Sequence, residues 1–184
     1  MIKKVNLPLT EEEVHRLRVG EPVLLSGLIY AARDAAHRRL FEALNQGQGL
    51  PIPITGQAIY YVGPCPAPPG WVIGSAGPTT SGRMDRYTPA LIERGLKVMV
   101  GKGPRSAEVI QAMQKYGAVY LAAIGGAGAL LAKCIVEAEV VAYPELGPEA
   151  IRRLRVEDFP AIVVIDAAGN DLYQLRRQEY RRSS

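Results

Sequence analysis

The sequence predicts a mixed α/β domain, and three observations carry that prediction. Short apolar runs of strand length alternate along the chain with segments whose apolar residues recur at helical spacing. Glycine, proline or a capping side chain punctuates the joins between them. With 184 residues, 48% of them apolar, the chain is long enough to bury a core, and its length favours one domain spanning residues 1–184.

The elements follow in order. LLSGLIYAA (24–32) reads as a strand, and DAAHRRLFEALNQG (34–47) as a helix that Asp34 can cap and a glycine ends. AIYYVG (58–63) and WVIGSAG (71–77) are strand-like, with the proline-rich GPCPAPPG (63–70) between them as a rigid loop. Thr88 and Pro89 form a cap and first-turn pair for the helix TPALIERG (88–95). LKVMVGKG (96–103) is a strand running into a loop, SAEVIQAMQKYG (106–117) a helix, AVYLAAIG (118–125) a strand and GALLAKCI (128–135) a short helix. The strand IVEAEVVAY (135–143), a helix within GPEAIRRLRV (147–156) and a hairpin from AIVVIDAAGNDLYQL (161–175) complete the chain, with the turn at Gly169-Asn170. No internal repeat or low-complexity segment interrupts this order, and disorder is expected only at the ends.

Composition narrows the function classes. The net charge of +4 is concentrated in RRQEYRRSS (176–184), which reads as a solvated basic tail. With 7% aromatic residues, no zinc-finger spacing and no RNA-binding aromatic motif, nucleic-acid binding is not indicated. MIKKVNLPLT carries no apolar run after its basic residues, and the longest later apolar run is broken by Gly, Lys and Cys. A membrane span is not predicted, and a cytoplasmic location is the default. Cys65 and Cys134 stand far apart with no metal-ligand spacing, so any cluster or metal must draw its ligands from another chain.

Chemistry concentrates in AGPTTSGRMDRY (76–87). Small residues and backbone N–H groups at a strand-to-helix junction suit a carboxylate or phosphate, and Arg83 adds a planar fork for either. The run has neither the GxxxxGK spacing of a phosphate-loop ATPase nor GxGxxG. The same residues would also make a plain Thr/Ser helix cap beside a surface arginine. Two further stretches repeat the pattern: in AARDAAH Arg33 follows a strand, and in VGKGPRS Lys102 sits between two glycines after another. Three cations after three strands, with hydroxyls beside one, suit a ligand with two anionic groups. His37, one turn into its helix, reads as a structural donor or solvated side chain, and Cys65 as a small buried filler without an activating neighbour.

GPTTSGRMDRYTPALIERGLKVMVGKG resembles the corresponding stretch of the iron-sulfur class I fumarate hydratases, in their beta subunit or the C-terminal domain of single-chain members. The likeness extends to AARDAAHRR, YYVGP, KYGAVYLAAIGGAGALLAKCI and VEDFPAIVVIDAAGND, nearly the whole chain. The resemblance implies a swivelling β/β/α domain, with a mixed sheet and flanking helices, that works beside an alpha subunit. In that family three cysteines of the alpha subunit hold a 4Fe-4S cluster, whose open iron binds the substrate hydroxyl and one carboxylate as a Lewis acid. Malate and fumarate are the implied ligands, in a heterotetramer or with the isolated subunit as a homodimer. By the same resemblance Arg33, Arg83 and Lys102 fall on substrate-binding positions, and Thr79 on the threonine that takes the C3 proton. The residues alone do not separate Thr79 from Thr80. Tartrate dehydratase shares the GPTTS core, and a non-catalytic dicarboxylate-binding partner is the reading from another class.

Overall fold

The computed structural model describes residues 1–123 and 128–182. At its centre four strands run parallel in sequence order: β2 (Pro22–Ala31), β3 (Ala58–Tyr60), β4 (Val98–Gly101) and β5 (Val119–Ala123). A fifteen-residue strand, β7 (Ile151–Ile165), lies antiparallel to β5 at one end of this row and to β2 at the other. The sheet is thereby closed on itself, as a ring of β2-β3-β4-β5-β7. β1 (Lys3–Leu7) adds parallel to the early half of β2, and β6 (Ile135–Ala142) adds antiparallel to β7. The architecture is the mixed sheet with flanking helices that the sequence predicts.

The two-residue period of the strands sorts their side chains into two cores. Val23, Leu25, Ile29, Ala58, Tyr60, Val98, Val100, Val119 and Leu121 share one cluster with β1 and with Leu154, Val156 and Val163 of β7. The alternate residues Tyr30, Ile59, Met99 and Tyr120 pack in a second cluster, under the helices. These are α2 (Asp34–Asn45), α3 (Thr88–Glu93) and α4 (Ala107–Tyr116). Each helix buries residues at helical spacing: Ala36, Leu40 and Ala43 from α2, Thr88, Leu91 and Ile92 from α3, Val109 and Met113 from α4. Leu40, Leu91 and Ile92 are fully buried, each contributing about 1.5–3 kcal/mol by leaving water.

Several boundaries differ from the sequence reading. WVIGSAG is not a strand: it folds back on the proline-rich arm before it, Cys65 N donating to Ser75 O at 2.9 Å. Gly74 lies so close to that arm that an added Cβ would stand 2.4 Å from the carbonyl oxygens of Cys65 and Pro66. Prolines without N–H groups cannot offer this segment a ladder. The helix predicted in GPEAIRRLRV is instead the start of β7, preceded by a 3-10 turn (Pro144–Glu149). Here Arg153 and Arg155 lie opposite Glu139 and Glu137 of β6, paired at 2.7 and 2.9 Å, an alternation that answers the strand period and not the helical one.

The turn at Gly169-Asn170 forms as predicted, with Gly169 at φ 82°, but the returning arm makes one bridge, Ile165 to Asp171. It then becomes α6 (Leu172–Arg182), so most of the basic tail is helical. A helix α1 (Glu11–Arg16) was not predicted, although its signal is in the sequence: Thr10 accepts from Glu13 N while the Glu13 side chain accepts from Thr10 N. The short helix α5 (Gly128–Lys133) matches GALLAKCI, and residues 124–125 of the predicted strand AVYLAAIG lie outside the described residues. Among the described residues no helix is long and apolar enough to cross a membrane.

Candidate active site

The carboxyl ends of β2, β3 and β4 lie at one end of the ring, and the segments leaving them carry Arg33, Thr79, Arg83 and Lys102. Arg33 leaves β2. Tyr60 Oη, at the end of β3, donates to Ala76 O at 2.5 Å and anchors the start of AGPTTSGRM. Thr79 N donates to Tyr61 O at 2.7 Å. Thr80 bridges to Lys102 beyond β4, and Ser81 N donates to Lys102 O at 2.8 Å while Lys102 N donates to Ser81 Oγ at 3.1 Å. The run is tied by this one bridge and these backbone bonds to the segments that follow β3 and β4, and then turns as a 3-10 helix (Ser81–Met84) that presents Arg83. Gly101 permits this approach, since a Cβ there would lie 2.1 Å from Ser81 Oγ.

Arg33 and Arg83, fifty positions apart, share one carboxylate. Arg83 Nε is 2.9 Å from Asp34 Oδ1 and its Nη2 is 2.8 Å from Oδ2, a bidentate pair. Arg33 Nε is 3.2 Å from the same Oδ2 and 3.3 Å from Glu149 Oε1. Arg33 lies across Gly63, where a Cβ would be 2.9 Å from its Cδ. Asp34 is therefore not the cap of α2: the N-cap is Arg33, without a side-chain cap bond, and Asp34 is spent on the arginines. Likewise Thr88 is the first residue of α3 and not its cap, its hydroxyl donating to Met84 O at 2.8 Å.

Lys102 is exposed, and its ammonium has no ion pair among the described residues. Thr79 is half-buried, and its hydroxyl makes no hydrogen bond among them. The structure thus joins Arg33 with Arg83 through Asp34, and Lys102 with the Thr79–Arg83 run through the backbone. A groove of about 330 Å³ lined by Pro64, Cys65, Val140, Pro148 and Arg152 includes none of them.

Beneath the run lies a polar network absent from the sequence reading. Arg105, its side chain fully buried, donates from Nε to Asp85 Oδ1 at 2.6 Å and from Nη2 to Thr88 Oγ1 at 3.0 Å and Tyr61 Oη at 3.2 Å. Its guanidinium also lies 5.2 and 4.9 Å from the ring centroids of Tyr61 and Tyr120. Burial opposes its charge, but Tyr61 and Asp85 outweigh that and hold its pKa above the ordinary arginine range. Ser81 Oγ and Tyr120 Oη are 2.8 Å apart, and Tyr120 Oη donates to Gly103 O at 2.8 Å. The available signal was the pair of charges in GRMD and GKGPR, two motifs already in view, whose mutual burial only the fold reveals.

His37 is structural, as expected. It is fully buried, with Nδ1 2.9 Å from Arg33 O, its ring edge-on to Tyr61, and Nε2 without a partner. Burial pushes its pKa down to about 4, so it is neutral at pH 7. Cys65 is exposed and not a buried filler, because the loop that carries it turns outward. Burial pushes the Cys134 thiol up, which disfavours the thiolate a metal needs. Among the described residues no group of three or more His, Cys, Asp or Glu side chains could hold a metal ion, so these residues do not fit an iron-sulfur cluster.

The structure thus defines an α/β domain whose parallel strands are followed by loops carrying three cations, two of which share one carboxylate. The family described as Fumarase C-terminus matches residues 1–176, and the chain belongs to that family. It is 44% identical over 174 residues to the aerobic class I fumarate hydratase of Salmonella typhimurium, covering 92% of this chain and 30% of that protein. With the anaerobic class I fumarate hydratase of Escherichia coli it shares 44% identity over 174 residues, covering 92% of this chain and 32% of that protein. With the putative L(+)-tartrate dehydratase subunit beta of Methanocaldococcus jannaschii it shares 41% identity over 172 residues, 90% of this chain and 88% of that protein. The chain spans about a third of the length of the fumarate hydratases it matches.

Proposed function

We propose that this chain is the beta subunit of a two-subunit hydro-lyase that interconverts fumarate and (S)-malate, supplying the dicarboxylate clamp. The observation that carries the reading is the sharing of the Asp34 carboxylate by Arg33 and Arg83, with Lys102 tied to the same loop. A pair of arginines set to grip one carboxylate, beside a lysine without an ion pair among the described residues, suits a ligand with two carboxylates. The relatives named as fumarate hydratases support the reaction class.

Dehydration of malate breaks the C3–H and C2–O bonds and forms the double bond. This chain would bind both carboxylates and stabilise negative charge that develops on the one next to C3 as the proton leaves. Thr79, whose hydroxyl makes no hydrogen bond among the described residues, is the residue assigned to the C3 proton. A threonine hydroxyl is a poor base at neutral pH, so it needs a carboxylate from the alpha subunit to pass the proton on. On this reading the cluster is held by the alpha subunit, and this chain supplies only the clamp and the threonine.

A second reading, the beta subunit of a tartrate dehydratase, is favoured by the match to a separate subunit over 88% of its length. The test is to assay the chain alone and with its alpha partner, anaerobically, on malate, fumarate and tartrate. Turnover of malate and fumarate by the pair, with the chain alone colourless and inactive, is expected. Turnover of tartrate only would replace the first reading with the second. A chain that shows cluster absorption and turns over malate by itself would overturn the division of labour.

A further inference from the structure

The candidate clamp rests on two loops joined to each other by a single β-bridge, Thr80 to Lys102. One is the 3-10 turn carrying Arg83, the other the GKG loop carrying Lys102. Their relative placement is set from below. Asp85, two residues after Arg83, accepts Arg105 Nε on one oxygen and Ser106 N, at 2.7 Å, on the other. Arg105 and Ser106 follow Lys102 in the second loop. Arg105 also reaches across to Tyr61, whose carbonyl receives Thr79 N. One guanidinium thus contacts the segment after β3, the turn after Ser81 and the first residue of α3, while it belongs to the loop after β4.

An ion pair so deeply buried is not there for stability alone. Its desolvation offsets much of its attraction, and apolar residues of the same volume would serve the fold about as well. What apolar residues would not supply is direction. Arg105 has donors on two nitrogens engaged with three oxygens, and its ring contacts with Tyr61 and Tyr120 fix the plane in which they lie.

We infer that Arg105 is a positioning residue for the dicarboxylate clamp, its buried pair with Asp85 fixing the Lys102 loop against the Arg83 turn. The inference rests on the proposed dicarboxylate reading for its kinetic arm only. Arg105 is fully buried beneath the run, and it acts through the reciprocal bonds between Ser81 and Lys102 and through the aim of the GRM turn.

The test compares the wild-type chain with Arg105→Lys, and with the double variant Arg105→Met, Asp85→Asn, which leaves no unpaired buried charge. In the assembled enzyme both should raise KM for malate by about tenfold or more, with kcat falling less, because misplacement of a binding group costs affinity and geometry together. Hydrogen exchange of the full chain gives a readout independent of turnover. The Ser81 and Lys102 amides should exchange at least about tenfold faster in the double variant, while amides of the β2–β7 ladder keep their protection. A uniform loss of protection, or a lowered Tm with KM within about twofold of wild type, would reduce Arg105 to a core ion pair and overturn the inference. If the wild-type assembly turns over no dicarboxylate, the proposed function fails, and exchange at Ser81 and Lys102 alone decides the positioning role.

Discussion

Arg83 lays Nε and Nη2 against the two carboxylate oxygens of Asp34, at 2.9 and 2.8 Å, and so fills its fork with a carboxylate from its own chain. An incoming carboxylate must displace Asp34 or share the arginines with it. Asp34 both aims the pair and screens it.

Removing that charge should unmask the arginines. Asp34→Asn is expected to tighten sulfate binding to the chain at low salt by about threefold or more, since a carboxylate within contact distance no longer cancels the cations. Stability should change by less than about 1 kcal/mol, because the Arg83 side chain is 52% exposed. Calorimetric titration and urea unfolding measure the two effects. Weaker sulfate binding would show that aiming outweighs screening.

Binding and chemistry separate by variant. Arg83→Lys keeps the charge and loses the fork, so KM for malate in the assembled enzyme should rise at least about tenfold with kcat less affected. Thr79→Val keeps the shape and removes the hydroxyl, and kcat should fall by about 10² to 10⁴ with KM changed less. Cluster content must be matched in every preparation. Near-normal kcat in Thr79→Val would return the proton-transfer role to the alpha subunit.

His37 gives the chain an acid sensitivity of known sign. Its folded pKa of about 4 lies below the ordinary 6.5, so the unfolded chain takes up the proton first. The stability this contributes is complete above pH 6.5 and is lost as pH falls through 4, a total of roughly 3 kcal/mol. In His37→Phe that part of the slope should vanish, while Arg33 O keeps its bond from the backbone N at position 37. Urea unfolding of both proteins from pH 7 to pH 4 is the measurement. Equal slopes would remove His37 from the account.

Gly101 is the narrow point between the two loops. A Cβ there would meet Ser81 Oγ at 2.1 Å and Tyr61 Cδ2 at 2.8 Å, and neither can retreat without breaking the stitch. Gly101→Ala should cost about 1–3 kcal/mol by overpacking and weaken the Ser81–Lys102 pairing. A thermal melt reads the first effect and amide exchange at Ser81 and Lys102 the second. Unchanged stability and exchange would mean that the loop has slack.

The parts of the fold legible in the sequence are those governed by local periodicity. The apolar runs around Ile29, Ile59, Met99 and Leu121, and the helices carrying Leu40, Leu91 and Val109, stand where the residues place them. WVIGSAG failed because apolar content without a neighbouring edge does not make a strand, and Gly74 is committed to the carbonyls of Cys65 and Pro66. GPEAIRRLRV failed because its arginines are paired across to Glu137 and Glu139, partners no local window contains. The site divides the same way. Arg33 and Lys102 are visible as cations after strands, whereas Arg83 follows WVIGSAG, which is no strand, and Asp34 reads as a cap in the sequence but pairs with Arg83 in the fold. Arg105 looked like any loop arginine because its burial depends on four segments meeting.

The closure of the ring by β7 bears on how the chain is made. Pro22 pairs with Ile162 and Ala31 with Arg152, so β2 must wait for a strand that follows it far along the chain. Until Ile151–Ile165 emerges, β2 and β5 each present a bare row of backbone donors and acceptors, the kind of edge that recruits other chains. Such late, distant pairing makes for slow maturation. A chain cut short of Ile151 would keep both edges open to pairing with other chains.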